Sequence, residues 1–343
     1  MTKQPNIPRR HHVVPKFFLS RFAIDDQVQL VRREDLSCSF LANVDDALVE
    51  TDFYNIETDA GLSPEVEELL GTHIEGPAAR AFRRVVDEAR FPPMPGLRQI
   101  LSQFFSFQFV RGPAIRRTLL QQFKTRAVKI AHLMTPAMAR QHLRETDGRD
   151  PTDQEVAEFV AFAQQTREEE VTVDKVANLH LGTALGVVYE LLPYFARRKW
   201  QLLTFSEPLL ITGDEPLGFV GVSTKAGDRA HGVGAAPEIV IPTDPTHALV
   251  LVRPDRTTKE RVVAGTPEMA RIINLNLAYG CHRFLVHRPG TTPLKGLTLP
   301  KQGPSVRVQG DYIMMHARPA RSSSRQRPQS GGLRASVGVR SKK

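Results

Sequence analysis

The spacing of the apolar residues changes once along the chain, near residue 197, and this change constrains the fold most strongly. Before it, Leu101, Phe104 and Phe105 recur at the spacing of one helix face. After it, runs such as Trp200–Phe205 and Ala248–Val252 have the length and composition of buried strands. Helices first and strands afterwards favour an α+β fold over alternating βαβ units. We therefore predict a helical N-terminal half packed on a mostly antiparallel sheet from the C-terminal half.

Capping and helix-breaking residues set the expected element boundaries. The helical part is predicted over about 60–196 and the sheet part over about 199–310. Three helices are expected first: Ser63 to about Ala89, Leu97 to the Gly112-Pro113 break, and Pro113 to about Arg144. A fourth begins at the capping box of Thr152 and Glu155. A fifth runs from an Asp174 cap to about Phe195, and a sixth from Thr266 to about Tyr279. The expected strands are Val28–Arg32, Trp200–Phe205, Leu209–Thr212, Gly218–Val222, Ile239–Ile241, Ala248–Val252 and Phe284–His287.

The formal net charge of +9 suggests a nucleic-acid partner, but its distribution weakens that interpretation. Eight basic residues and no acidic residue lie in 317–343; without them, 38 basic residues face 37 acidic ones. We predict a disordered lead over 1–9, a single domain over 10–316 and a disordered basic tail over 317–343. Arg, Ser, Gly and Pro cannot bury enough apolar surface to order such a tail. Whether the tail binds nucleic acid stays open.

Cysteine usage and hydropathy indicate an intracellular protein without a membrane partner. Cys38 and Cys281 are the two cysteines, too few for a disulfide framework and without the spacing of a zinc site. The N-terminus is polar, and no window reaches the ~18 uninterrupted apolar residues of a membrane-spanning helix. The expected compartment is the cytoplasm. Phosphate-loop, dinucleotide-binding, zinc-protease and serine-hydrolase motifs are missing, so no motif fixes a reaction.

Two adjacent histidines, His11 and His12, precede a predicted helix start at Pro15. One imidazole can act as a base near pH 7 while the other orients it, or both can hold a metal ion. Alternatively, Arg9, Arg10 and the two histidines form an exposed basic lead-in.

Gln108 and Arg111 are the second candidates. They lie three residues apart, on the predicted inward face of Leu101 and Phe104. An amide and a guanidinium that face inward need partners, because their unpaired burial is costly. Either they contact a bound carboxylate or phosphate, or Arg111 pairs with an acid of the protein and fixes the fold.

Asp214 is the third candidate, in the turn that follows the expected strand Leu209–Thr212. Loops at strand ends commonly carry reactive groups on a rigid scaffold. An ordinary Asx-type turn has the same residue types, so both interpretations stay open. The weaker candidates are a core histidine, an asparagine bonded to the nearby backbone and three polar residues without a predicted place: His180, Asn276, Asp52, His73 and Glu75.

The segment from His11 to Pro15 is similar to the opening of an HNH nuclease motif. Asn274-Leu275 with Cys281-His282 is similar to its close. In that motif the parts form one compact hairpin–helix unit, whereas about 260 residues separate them here and the intervening glycines are missing. We therefore reject an HNH nuclease.

Short motifs are spread along most of the chain. They are His11-His12 with Pro15, Leu19 and Phe22; Asp52-Phe53-Tyr54; Gln108 and Arg111 with Pro113; Trp200; Ile211–Pro216; Ile241-Pro242 with Asp244-Pro245; and Ile273-Asn274 before Arg283-Phe284. Together they resemble the domain-of-unknown-function 4238 family over about residues 10–290. The resemblance implies a single domain with one shared polar site. It implies no reaction, because the activity of that family is not established.

The first functional hypothesis is an enzyme in which the polar candidates converge in one cleft: His11, His12, Gln108, Arg111 and Asp214. His12 is the expected base or metal ligand, Asp214 its orienting or co-ligating carboxylate, and Arg111 the clamp for phosphate, with Gln108 beside it. The expected reaction is phosphodiester hydrolysis, and a divalent metal held by His11, His12 and Asp214 is an alternative to a free imidazole base. A non-catalytic module that binds an acidic ligand or nucleic acid is the second hypothesis. A purely structural role of these groups is the third.

Overall fold

The computed structural model describes residues 9–51, 53, 56–58, 61–63, 69–171, 176–220, 233–254 and 257–299. The predicted tail, the lead before residue 9, Asp52 and the Asp174 cap lie outside the described residues. The chain divides into two compact units, residues 1–116 with 180–305 and residues 117–179 with 306–343. The single domain over 10–316 stays a prediction, because compactness alone does not test independent folding.

The predicted α+β fold is confirmed, with helices mainly in the N-terminal half and mostly antiparallel sheets with strands mainly in the C-terminal half. The helices are α1 (Lys16–Ser20), α2 (Gly76–Phe82, between the π-helical turns Gly71–Glu75 and Arg83–Asp87), α3 (Pro95–Arg111), α4 (Pro113–His132), α5 (Pro136–Asp147), α6 (Asp153–Gln165), α7 (Val176–Ala196) and α8 (Pro267–Gly280). The strands are β1 (Arg10–His12), β2 (Gln27–Arg32), β3 (Asp35–Asn43), β4 (Val49–Thr51), β5 (Ile56–Thr58), β6 (Gly61–Ser63), β7 (Lys199–Thr204), β8 (Thr212–Gly213), β9 (Gly218–Val220), β10 (Glu238–Asp244), β11 (His247–Val252), β12 (Arg261–Ala264) and β13 (Phe284–His287). None of the helices in the described part of the chain combines the length and the apolar character that crossing a bilayer requires.

Two larger sheets form within the first unit. One has the strand order β12-β7-β11-β10-β9 and the other β3-β2-β13-β8. In these sheets β12 runs parallel to β7, and the other described pairs are antiparallel. The β10–β11 hairpin has a register shift between Pro242 and Asp244, and it pairs Asp244 with His247. This irregularity sets the position of two polar side chains that matter below.

The core of the first unit contains a cluster of phenylalanine rings. Phe82 of α2 lies 5.6 Å from Phe104 of α3 and 5.7 Å from Phe18 of α1, measured between ring centroids. Phe105 continues the cluster to Trp200 of β7 at 5.8 Å. Such edge-to-face and tilted contacts add to the burial of the rings themselves. The predicted inward stripe of α3 is confirmed, and it joins helices α1 and α2 to the five-stranded sheet.

Capping residues define the helices of the second unit. Thr152 and Glu155 form the predicted capping box at the start of α6. The helix expected to run to about Arg144 is instead broken, because Thr135 caps a new helix that begins at Pro136. That helix, α5, ends at Asp147, and the φ of +68° at its C-cap Gly148 suits a residue without a Cβ.

Several strand predictions need correction. The segment Arg10–His12, which was not expected to be a strand, pairs with Val49–Thr51. Strands β3 and β12 were not expected from the sequence. The strand expected at Leu209–Thr212 is reduced to Thr212–Gly213, because Asn274 replaces a strand partner: its side chain binds Ile211 N at 3.1 Å and Leu209 O at 2.7 Å.

The helix expected from Ser63 also needs correction. Ser63 ends strand β6, and residues 64–68 lie outside the described part of the chain. Helical structure is described from residue 69 and ends at Asp87, close to the predicted end at Ala89. The helix from Thr266, the strand at Phe284–His287 and the bond of Asn276 to its nearby backbone, Ile272 O at 2.8 Å, are confirmed.

Phe82→Ala tests the aromatic cluster. We expect it to lower the free energy of unfolding by about 3–5 kcal/mol, because it removes a buried ring and leaves a cavity between three helices. The measurement is urea unfolding followed by circular dichroism. The control Leu41→Ala, at a side chain 59% exposed on β3, should change the free energy little. Equal losses in the two variants would contradict a core role for the ring.

Candidate functional site

The paired histidines belong to strand β1. His11 stands opposite Glu50 of β4 and is completely buried. His12 is half-buried, and its Nε2 lies 2.8 Å from Val44 O. The strand therefore incorporates both imidazoles into the fold.

Gln108 and Arg111 face inward from α3, as the helical spacing predicts. Gln108 Nε2 donates to Val13 O at 3.2 Å, and Gln108 Oε1 accepts from Arg111 Nε at 2.8 Å and from Arg111 Nη2. Arg111 Nη1 donates to Glu75 Oε1 at 2.8 Å, and the Arg111 side chain is completely buried. Arg111 thus pairs with an acid of the protein, the second of the two arrangements that the sequence allows. Gln108 ties this pair to the residue that follows His12.

Asp214 anchors the turn between α8 and β13. Its Oδ1 accepts from Cys281 Sγ at 3.1 Å and from His282 N at 2.7 Å, and its Oδ2 accepts from Arg283 N at 2.5 Å and from Phe284 N at 3.2 Å. Burial, reinforced by the negative charge of Asp214, raises the pKa of the Cys281 thiol well above its ordinary value. The thiol therefore stays a protonated donor. Both carboxylate oxygens of Asp214 are engaged in holding this turn.

Glu215, which the sequence did not single out, links the Asp214 turn to the start of α4. Its Oε1 accepts from Ala114 N at 2.6 Å, one of the backbone donors left open at a helix N-terminus. A Cβ at Gly112 would lie only 2.4 Å from Glu215 Oε2, so the contact requires glycine there. Glu215 thus meets the chain immediately after Arg111.

The predicted residues are therefore brought together only in part. The segment of His11 and His12 is tied to Gln108 and Arg111, and the Asp214 turn reaches the α3–α4 junction through Glu215. The Asp214 carboxylate itself faces the turn at 281–284. Among the described residues, no three His, Cys, Asp or Glu side chains form a group able to hold a metal ion. The catalytic and binding roles of these residues stay predictions.

A pocket of about 290 Å³ lies elsewhere in the first unit, and none of the five predicted site residues lines it. It opens beside the β10–β11 turn, the end of α1 and the start of the segment after β13. We call it the Arg21 pocket; its lining residues are Arg21, Asp87, Asp244, Pro245, Thr246, His247 and Arg288.

The β10–β11 turn supplies a carboxylate–imidazole pair to this pocket. His247 Nδ1 lies 3.0 Å from both Asp244 carboxylate oxygens. Asp244 Oδ1 also accepts from Thr246 N at 2.7 Å and from Thr246 Oγ1 at 2.8 Å. No described residue hydrogen-bonds to His247 Nε2, and the side chain is 30% exposed. This second ring nitrogen is therefore accessible from the pocket.

Arg21 fixes the carboxylate of that pair. Its Nε donates to Thr243 O at 2.7 Å, and its Nη2 donates to Asp244 Oδ2 at 3.2 Å. Both Nη atoms also donate to Asp87, at 3.1 and 2.6 Å. Burial opposes the charged form of Asp244, but hydrogen bonds from His247 and Thr246 outweigh burial and hold the pKa of this carboxyl below its ordinary value of 3.8. Asp244 is therefore anionic at neutral pH.

Arg288 contributes the available positive charge of the pocket. Its side chain is exposed, and within the described ranges no residue forms an ion pair or hydrogen bond with its guanidinium. Its backbone is held, because His287 Nδ1 lies 2.9 Å from Arg288 O. The pocket thus combines a positioned imidazole with a cation that can meet an anionic ligand.

A second pocket, of about 370 Å³, has a different chemistry. Arg98 lines it, stacks 4.9 Å from the Trp200 ring and donates to Glu260 Oε1 at 2.7 Å. None of its lining residues is a histidine. The Arg21 pocket is therefore the stronger candidate for acid–base chemistry.

The sequence carried weak signals for the Arg21 pocket. Asp244-Pro245 belongs to the motifs noted above. His247 follows Asp244 by three residues, a spacing typical of one helix face, whereas the two residues lie in a strand hairpin. Arg21 is 223 residues from Asp244, so their contact depends on tertiary structure. The Asx-type turn chemistry of the Asp-Pro-Thr run is a local signal for an ordered carboxylate.

Comparison with protein-family models assigns the chain to a family. The model described as "Protein of unknown function (DUF4238)" matches residues 10–291. The chain belongs to the DUF4238 family. The match includes the Arg111–Glu75 pair and all the lining residues of the Arg21 pocket of this DUF4238 protein. No match was found among the curated proteins or among the solved structures.

Arg111→Ala tests the buried ion pair of this DUF4238 protein. We expect a loss of about 3 kcal/mol in unfolding free energy, because the variant removes the guanidinium that binds the Glu75 carboxylate and Gln108 Oε1. Arg90→Ala, which removes an exposed ion pair with Glu88, is the control and should cost less than about 1 kcal/mol. Chemical unfolding of both variants gives the comparison. An Arg111→Ala protein as stable as the Arg90→Ala protein would show that the pair does not stabilise the fold.

The buried His287 predicts a pH dependence of stability. Burial lowers the pKa of His287 below its ordinary value of 6.5, against the opposing hydrogen bond to Arg288 O. The unfolded chain therefore takes up a proton first, so His287 contributes stability that is lost as the pH falls below 6.5. His287→Gln should give a shallower decline of unfolding free energy between about pH 7 and pH 5. Parallel declines for the two proteins would refute this contribution.

Proposed function

We propose that this protein is a hydrolase that cleaves a phosphodiester, with His247 as the general base. The observation that supports the proposal is the Asp244–His247 pair, whose Nε2 is accessible from a pocket that also contains Arg288. A carboxylate at Nδ1 and an open Nε2 are the arrangement that positions an imidazole to accept a proton.

Asp244 determines which nitrogen of His247 carries out the chemistry. Because Asp244 is anionic, it favours the tautomer with the proton on Nδ1 and leaves the Nε2 lone pair free. Arg21 and Thr246 hold the carboxylate in place. These two residues are positioning residues, and His247 is the proposed catalytic residue.

In the proposed reaction, His247 Nε2 removes a proton from a water molecule as the water oxygen attacks phosphorus. A new P–O bond forms, and the P–O bond to the leaving group breaks. The proton on Nε2 then passes to the leaving oxygen, which returns the imidazole to its neutral form. Arg288 offsets the negative charge that increases on the phosphoryl oxygens.

The residues predicted first are assigned a supporting role. His12, Arg111 and Asp214 each form hydrogen bonds within the protein, so the proposal moves the base from His12 to His247. The substrate class, an anionic phosphodiester, is unchanged. The hydrophobic packing and buried ion pairs around α3 provide a stiff frame for the sheet that carries the hairpin.

A module that binds an anionic ligand without turnover is the second candidate. The specific observation that favours it is Arg288, a cation without a partner among the described residues, because such a group can recognise an anion without any reaction. Nucleic acid as that ligand, assisted by the basic residues of 317–343, stays a prediction.

His247→Ala tests the proposed hydrolase. With bis(4-nitrophenyl) phosphate as substrate, we expect kcat to fall about 100-fold or more, because the base is removed. Release of 4-nitrophenolate gives the rate, and circular dichroism checks the fold. The control His73→Ala replaces an exposed histidine outside the pocket and should keep the wild-type rate. Undiminished turnover by His247→Ala excludes His247 as the base, and binding of dimethyl phosphate without any turnover by the wild type favours the binding module.

A further inference from the structure

We infer that Arg288 makes the Arg21 pocket selective for singly charged phosphodiesters over doubly charged phosphomonoesters. The inference rests on the proposed function, because it defines the substrate class of the same pocket. It follows from the number and position of the charges that line the pocket.

The charge of Arg21 is already compensated within the protein. Its guanidinium donates to both oxygens of Asp87 and to Asp244 Oδ2. The side chain of Arg21 is only 15% exposed, so little of it faces a ligand. Arg21 and its two carboxylates together carry one net negative charge.

Arg288 balances that negative charge. The charges of the two arginines and the two aspartates that line the pocket sum to zero. A phosphodiester carries one negative charge and can pair with the Arg288 guanidinium. The second negative charge of a phosphomonoester would face Asp87 and Asp244 without a further cation among the described lining residues. The pocket therefore selects by repulsion of the dianion as well as by attraction of the monoanion.

The position of Arg288 suits this role. It directly follows β13, and the bond between His287 Nδ1 and Arg288 O at 2.9 Å fixes its backbone. The exposed Arg288 side chain can adjust to a ligand while its backbone stays in place. His247 of the β10–β11 hairpin lines the same pocket, so Arg288 and the proposed base share one cavity.

Binding of two small probes tests the inference without any need for turnover. Dimethyl phosphate is the monoanion, and methyl phosphate at pH 8 is the dianion. Isothermal calorimetry on the full chain should give a lower Kd for dimethyl phosphate, by about tenfold, because like charges meet when the dianion binds. Equal affinity, or tighter binding of methyl phosphate, would overturn the inference.

Two variants change the pocket charge in opposite directions. Arg288→Ala should raise the Kd for dimethyl phosphate about tenfold, and Arg288→Lys should restore part of the affinity. Asp87→Asn adds one unit of net positive charge and should narrow the preference for the monoanion. Arg261→Ala, an exposed arginine on β12, is the matched control and should bind as the wild type does. The role of the pocket charges would be refuted if Arg288→Ala bound dimethyl phosphate as tightly as the control does. It would also be refuted if Asp87→Asn increased the preference for dimethyl phosphate over methyl phosphate.

The two proposals fail separately. If His247→Ala keeps its turnover while the wild type prefers dimethyl phosphate, the selectivity stands and the base is wrong. If hydrolysis depends on His247 but the two probes bind equally, the hydrolase stands and the selectivity is wrong.

Discussion

The arrangement of the pocket depends on the hydrogen bonds of the Arg21 guanidinium. It joins the end of α1, the π-helical turn that carries Asp87 and the bulged end of β10. A planar group with several donors can hold two carboxylates and a carbonyl at once, which an ammonium on a flexible stem does less well. Because Arg21 holds one side of the Asp244 carboxylate, the contact of this carboxylate with His247 Nδ1 can orient the imidazole.

Most of the other buried polar groups form hydrogen bonds that stabilise the fold. Arg198 illustrates this, since its guanidinium donates to backbone carbonyls such as Val233 O, Ala236 O and Leu251 O. The same holds for Arg111 and Asp214, because a buried polar group without hydrogen-bond partners destabilises the folded state. A polar residue at an inward position is thus more often part of the frame than part of a reaction. Exposure of one ring nitrogen and one cation distinguishes the Arg21 pocket from these buried networks.

Local signals predicted much of the fold. The stripe of Leu101, Phe104 and Phe105, the Thr152 capping box and the strand at Phe284–His287 depend on neighbouring residues, and all were found. Strand β3 was missed although polar and apolar residues alternate from Asp35 to Phe40, because it contains no β-branched residue. The strand expected at Leu209–Thr212 was shortened by a distant asparagine. Of the site, the inward position of Arg111 was predictable from helical spacing. Its partner Glu75 and the contact of Arg21 with Asp244 were not, because residues far apart in sequence meet only after folding.

The imidazole of the pocket, the carboxylate that contacts it and the hydroxyl beside them belong to the four residues from Asp244 to His247. The cations beside them come from two other segments, more than 200 residues before and about 40 residues after this turn. Arg288, unlike Arg21, forms no hydrogen bond with the hairpin among the described residues, so its replacement leaves the Asp244–His247 contact in place. Under the proposed function, the residue that selects the substrate is therefore separate from the residues that transfer the proton.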